Sequence, residues 1–197
     1  RPITLEGTVV NPGANATILL TIRTSDLPID ETFKKACTPQ LRSAIQRMRL
    51  TGFIEGEVRL TKAPQQPFVT RIDALLRNGA MNYDAFPYRV EGITGRLSAI
   101  GPNFEFKELI GRHGKEGTTV IAAEGDYRKL NNTVGELKLK IVTQAAPLDD
   151  SLYRAVPASL QRVWSEFRPT GLVDVVTDVH WLTDRAADIR SALDEIG

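Results

Sequence analysis

The chain says nearly the same thing twice. "PIDETFKKACTPQLRSAIQRMRLTG", residues 28–52, returns as "PLDDSLYRAVPASLQRVWSEFRPTG", residues 147–171, and seven of the 25 aligned positions are identical without a gap. They are Pro28/Pro147, Asp30/Asp149, Ala36/Ala155, Leu41/Leu160, Arg49/Arg168, Thr51/Thr170 and Gly52/Gly171. Average composition would give about one or two by chance. The likeness continues upstream, where "ILLTIRT" faces "LKLKIVT". An internal repeat constrains the fold more than any single motif, because both copies must satisfy one architecture. The period is about 119 residues, so 197 residues hold little more than one unit. Residues 1–27 read as the end of a preceding β unit, 28–146 as one full repeat, and 147–197 as the start of the next. An opening Arg1 in place of Met fits an excised or processed piece.

Each copy reads as two short helices. Asp30 and Asp149 stand where a side-chain oxygen can accept from free N–H groups of a first turn. Pro39 and Pro157 fall at or near a second helix start, where a missing N–H does no harm. Leu41, Ile45 and Met48 then recur at helical spacing, as do Leu160, Trp164 and Phe167, and Gly52 and Gly171 mark the exits. The single cysteine, Cys37, aligns with Val156 and reads as a small core hydrophobe.

Between the copies the period switches from helical to alternating. "ITLEGTVV" and "ATILLTIR" flank the turn signal "NPGAN". "GFIEGEVRLTK", "FVTRIDALLRNGAMN", "FPYRVEGITGRLSAIG", "NFEFKELIGRHG", "TTVIAAEGDYR" and "GELKLKIVT" follow, and "GLVDVVTDVHW" comes after the second helical block. Connections this short cannot make parallel crossovers, so the strands form an antiparallel meander. The fold class is therefore α+β, mainly β: a curved, groove-like meander sheet carrying a repeated two-helix block. One sheet face is apolar, marked by Ile18, Leu20 and Ile22, by Val90, by Phe104 and Phe106, and by Leu137, Leu139 and Ile141. Gly92 breaks the alternation between Val90 and Ile93 and predicts a bulge.

The surfaces do not balance. Six or seven strands per unit present an apolar face roughly 30 Å across. A helical block of about 20 residues covers about 30 Å in one direction and about 10 Å in the other. The sheet must close on itself, meet another protein, or hold an apolar ligand, since a larger open patch is a binding site or a liability.

Chemistry finds little purchase. The 25 Lys+Arg nearly cancel the 24 Asp+Glu, and the basic residues form no stripe for a phosphate backbone, so nucleic acid is not an expected partner. No apolar run reaches the roughly 20 residues of a membrane span. His113, in "GRHGKEG", reads as a solvated hairpin tip. His180 stands alone, with no HExxH-type partner, so no metal or other cofactor is expected. Asp174 and Asp178 alternate with apolar residues and read as a wet strand face. With His180 they are the only thin support for a hydrolase. "NAT" at 15–17 and "NNT" at 131–133 match the glycosylation pattern but read more simply as turns. The tail "DRAADIRSALDEIG" reads as a polar helix with Ala186, Ile189 and Leu193 on one side.

"GAMNYDAFPYRVEGITGRLS" resembles a signature of the AsmA-like superfamily of bacterial envelope proteins, which includes the TamB and YhdP groups. The residues that carry the likeness are Tyr83, Phe86-Pro87-Tyr88 and Val90-Glu91-Gly92-Ile93-Thr94-Gly95, with "FKELIGRHGKEGTTVIAAEGDY" resembling the next piece. The likeness covers roughly residues 52–143. It implies a long β-groove with an apolar interior, carried by a membrane-anchored parent in the periplasm, conducting phospholipids or assisting outer-membrane biogenesis. On that view the present segment is a soluble, non-enzymatic repeat module whose partners are acyl chains and neighbouring repeats. A closed structural or adhesive β-repeat scaffold, with the apolar face wholly internal, is the alternative.

Overall fold

The computed structural model describes residues 3–13, 15–114, 117–131 and 134–184; the tail helix read from the sequence lies outside them. Nine strands form one sheet: β1 Ile3–Val10, β2 Thr17–Pro28, β3 Thr51–Lys62, β4 Val69–Tyr83, β5 Phe86–Ile100, β6 Asn103–His113, β7 Thr119–Lys129, β8 Val134–Pro147 and β9 Leu172–Asp184. Their order in space is their order in the chain, and each neighbour pair is antiparallel. Every stretch read as a strand is one. The sheet does not close; β1 and β9 are its edges.

Helices interrupt the meander twice. α1 (Glu31–Ala36) and α2 (Pro39–Arg47) separate β2 from β3, and α3 (Asp150–Ala155) and α4 (Ala158–Phe167) separate β8 from β9. The repeat is thus six strands and one helix pair. The caps are those the sequence places: Asp30 accepts from Phe33 N at 2.8 Å, and Asp149 from Ser151 N and Leu152 N at 2.9 and 3.0 Å. Pro39 opens α2, with Thr38 accepting from Leu41 N, whereas Pro157 itself sits in the cap position of α4. Cys37 ends α1 half-buried, and burial pushes its thiol up.

A line of bulges crosses the sheet at the helix-bearing end. Register shifts occur near the ends of β2 (Thr24/Leu27), β4 (Leu76/Gly79), β6 (Phe106/Leu109) and β8 (Thr143/Ala146), and near the starts of β3 (Thr51/Phe53) and β5 (Glu91/Thr94). In an antiparallel meander those ends are one end of the sheet. Each extra residue bends its strand and steepens the twist. Gly92, at φ +61°, is the bulge read from the sequence; Asn78 (φ 46°), Glu108 (φ 54°) and Ala145 (φ 54°) are bulges on ordinary residues. The extra residue keeps the apolar side chains on one face, so Tyr88, Val90, Ile93, Gly95, Leu97 and Ala99 all lie on the same side of β5.

The bent end holds the packed core. Ile29, Ile45, Tyr88, Val90, Ile93, Ala146 and Ala155 are buried there, and Thr119 is 1% exposed. The Tyr88 ring stacks on His113 at 3.6 Å, and His113 Nδ1 lies 2.5 Å from the Arg89 carbonyl. Thr119 Oγ1 donates to the Ala145 carbonyl at 3.0 Å. These contacts tie β5, β6, β7 and β8 together where α3 packs against β5. His113 is therefore a half-buried stacking partner at the rim, not a solvated hairpin tip: the tight turn begins one residue later, at Gly114 (φ +89°).

Candidate apolar groove

Cross-strand partners share a face, so the register assembles the apolar side directly. One row runs Ile22, Val58, Ile72, Ala99, Phe104, Tyr127, Leu137 and Trp181 from β2 to β9. The next row inward toward the helices contains Ala74, Leu97, Phe106, Gly125, Leu139 and Val179. Phe104 stacks on Tyr127 with ring centroids 5.0 Å apart. The nine side chains picked out by alternation all fall on this face. Ile18, Leu20, Ile22, Phe106, Leu137, Leu139 and Ile141 are half-exposed, and Phe104 is 36% exposed. Val90 is 7% exposed, at the end of β5 against which α3 packs, so it belongs to the core beneath the helices and not to the open face.

Two glycines mark close strand approach on this face. A Cβ on Gly56 would collide with the Asp73 carbonyl of β4, and one on Gly125 with the Lys138 carbonyl of β8. Both glycines point to the apolar side. At these points the neighbouring strand occupies the space a side chain would fill, so the apolar face is closely packed there.

The helices do not roof it. They stand at the bulged end, and α4, the longest at 10 residues, spans about 15 Å. The nine strands span about 38 Å, and the six or so residues per strand beyond the bulges add about 20 Å of length; no described helix crosses this area, and its apolar side chains stay half-exposed.

The opposite face is a charge lattice. Arg23 bridges Glu57 at 2.7 Å and Glu6 at 3.1 Å; Arg59 pairs with Glu57 and Arg77 with Glu55. Hydrogen bonding from Arg23 holds the Glu57 carboxyl below its usual range, and bonds from Lys138 and His180 do the same for Glu136. Glu105 holds Lys107 up. A depression of about 510 Å³ over β6 to β9 is lined by Glu105, Lys107, Glu124, Asp126, Lys138, Lys140, Asp178 and His180, together with Phe106, Gly125, Leu139 and Val179 of the inner apolar row. Opposite charges alternate across it, so no single-sign field gathers there. Asp174 is engaged elsewhere: its carboxylate accepts from Ala145 N at 2.8 Å, satisfying the backbone donor that the β8 bulge frees from the ladder. His180 Nε2 lies 2.7 Å from Glu136 Oε1. Among the described residues no group of His, Cys, Asp and Glu is placed to hold a metal ion, and no helix is long and apolar enough to cross a membrane.

Of the outer row, sequence reasoning named Ile22, Phe104 and Leu137 but not Val58, Ile72, Ala99, Tyr127 and Trp181; only the register shows that they line up. No protein-family model, curated protein or solved structure matches the chain.

Proposed function

We propose that the chain is a non-enzymatic repeat module that shelters acyl chains in its apolar trough, as part of a phospholipid-conducting or outer-membrane-biogenesis protein of the bacterial envelope. The observation that carries this reading is the continuous apolar row from β2 to β9, left uncovered by the described helices. The AsmA-like resemblance of residues 52–143 supplies the periplasmic setting and the membrane-anchored parent. The energetics suit transit. A fully buried methylene gains about 0.8 kcal/mol, and contact with one wall shelters about half of it, so ten methylenes gain about 4 kcal/mol. That holds a chain without trapping it. A sealed β-repeat scaffold would need a cover over the same floor, and the four described helices stand clear of it.

Native mass spectrometry of the purified protein tests the proposal. Bound phospholipid is expected on the unmodified chain. Leu139→Arg, which sets a charge in the middle of the floor, should lower the lipid-bound fraction at least five-fold while the far-ultraviolet circular dichroism stays unchanged. Lipid-free protein from repeated gentle preparations, or equal lipid on the variant, would refute it.

A further inference from the structure

The two helical blocks share several hydrogen bonds at matching positions. Ile29 N donates to Gly52 O at 2.9 Å, and Leu148 N to Gly171 O at 2.9 Å. Arg42 reaches back to the Cys37 carbonyl, and Gln161, at the matching position, reaches back to the Val156 carbonyl. Arg49 and Arg168 end their blocks in the same left-handed conformation, at φ 46° and 44°. The blocks differ in what covers them.

The first block is covered by the end of β4. Asn82 N donates to Met48 O at 2.9 Å and Asp84 N to Arg47 O at 3.1 Å. Arg49 Nε pairs with Asp84 Oδ1 at 2.9 Å, and Thr51 lies opposite Ala80 in the ladder. Beneath this cover Ile45 is 3% exposed. In the second block the matching groups are the carbonyls of Glu166 and Phe167, Arg168, Thr170 and Trp164. Among the described residues no strand lies outside β9, and Arg168 has no acidic partner. Phe167, the counterpart of Met48, is 76% exposed. A cleft of about 430 Å³ opens at this place, lined by Leu148, Tyr153, Trp164, Arg168 and Thr170 among others.

We propose that this cleft and the outer edge of β9, with which no other described strand pairs, form a receptor for one extended segment of the β4 kind, supplied by an adjoining unit of the same repeat. Its main-chain N–H groups at alternate positions bond the Phe167 and Glu166 carbonyls, as those of Asn82 and Asp84 bond Met48 and Arg47. Its acidic side chain pairs with Arg168, and its body pairs antiparallel with β9. The first block is the template for each contact, and edge-strand addition is an established mode of recognition. The inference holds whatever the trough carries.

A synthetic peptide with the sequence of residues 69–84, added to the full chain, tests it by calorimetry. Saturable one-to-one binding is expected. Methylating the peptide nitrogens at the Asn82 and Asp84 positions removes two hydrogen bonds and should weaken binding about ten-fold. A peptide with Asp84→Lys should bind roughly five-fold more weakly, and Arg168→Glu in the protein should restore it. Absence of binding by the unmodified peptide, or binding indifferent to methylation and to the charge exchange, would overturn the proposal. Lipid occupancy is a separate readout, so failure here leaves the trough untouched and the reverse also holds.

Discussion

The same strands end in two different states. At the helix-bearing end nearly every strand carries a bulge, and the side chains of Ile29, Ile45, Tyr88, Val90, Ile93, Ala146 and Ala155 are sealed. At the other end the ladders run without a shift, as in Gly125↔Leu139 and Leu137↔Trp181, and Leu137, Leu139 and Trp181 are only half-buried. The difference teaches where stability and availability separate. Burial that holds the fold together is concentrated at the bent end. Among the described residues, the free end leaves its apolar side chains half-exposed. Local stability is not uniform within a protein, and binding surfaces are drawn from its weaker parts.

Truncations of similar size at the two ends break or sharpen this comparison most strongly. Ile93→Ala, under the helices, should cost about 3 kcal/mol, because the lost side chain leaves a cavity that the packed bulge cannot close. Leu139→Ala, on the floor of the trough, should cost about 1 kcal/mol, since its half-exposed side chain loses less area and leaves no enclosed void. Urea unfolding measures both. Equal losses at the two sites would mean that the trough is part of the core, and the division between the ends would fail.

The strands, their antiparallel order and the helix starts were legible because each rests on local physics. Alternation in "ELKLKIVT" states which side chains share a face, and Asp30 and Asp149 cap their helices within a few residues of themselves. The line of bulges was not. Gly92 announced itself, since glycine tolerates positive φ, but Asn78, Glu108 and Ala145 adopt the same region with side chains that signal nothing. Asp174 bonds the Ala145 N–H across 29 residues, and His113 stacks on Tyr88 across 25 positions of chain; such pairings exist only once the sheet is assembled. The composition of the candidate face was readable for the same reason as the strands. Its exposure was not, because that depends on how closely neighbouring strands pack, as where Gly56 and Gly125 meet the backbone of the paired strand.

The helix caps extend the comparison at a smaller scale. Asp149→Ala should cost about 1 kcal/mol, since Asp149 accepts from two backbone donors at the first turn of α3, and α3 holds the sealed end against β5. Asp30→Ala removes a single acceptor from α1, which has no buried residue, and should cost less, about 0.5 kcal/mol. Thermal melts of the two variants give the order. A larger loss for Asp30 would place more of the fold's stability on the first block than its packing allows.

The smallest effect belongs to the wet face, where charges and not burial do the work. Glu57 is held below its ordinary carboxyl value, first by the Arg23 hydrogen bond and further by the charge of Arg59. A carboxyl whose value falls on folding stabilises the native state above its unfolded value, about 4.3 for glutamate, and loses that contribution as pH drops through the lowered one. The lattice should therefore matter at neutral pH and fade in acid below about pH 4. Glu57→Gln removes the titrating group, so the variant should melt slightly below the unmodified chain at neutral pH, and the gap should close as acid protonates Glu57 in the folded chain. The difference should also shrink at about 1 M salt, since the pairs are solvated and screened. A gap that persists in acid would show that Glu57 contributes through packing at the bend of β3 and not through its charge. The two faces of the sheet would then share the structural work that the melts otherwise assign to one.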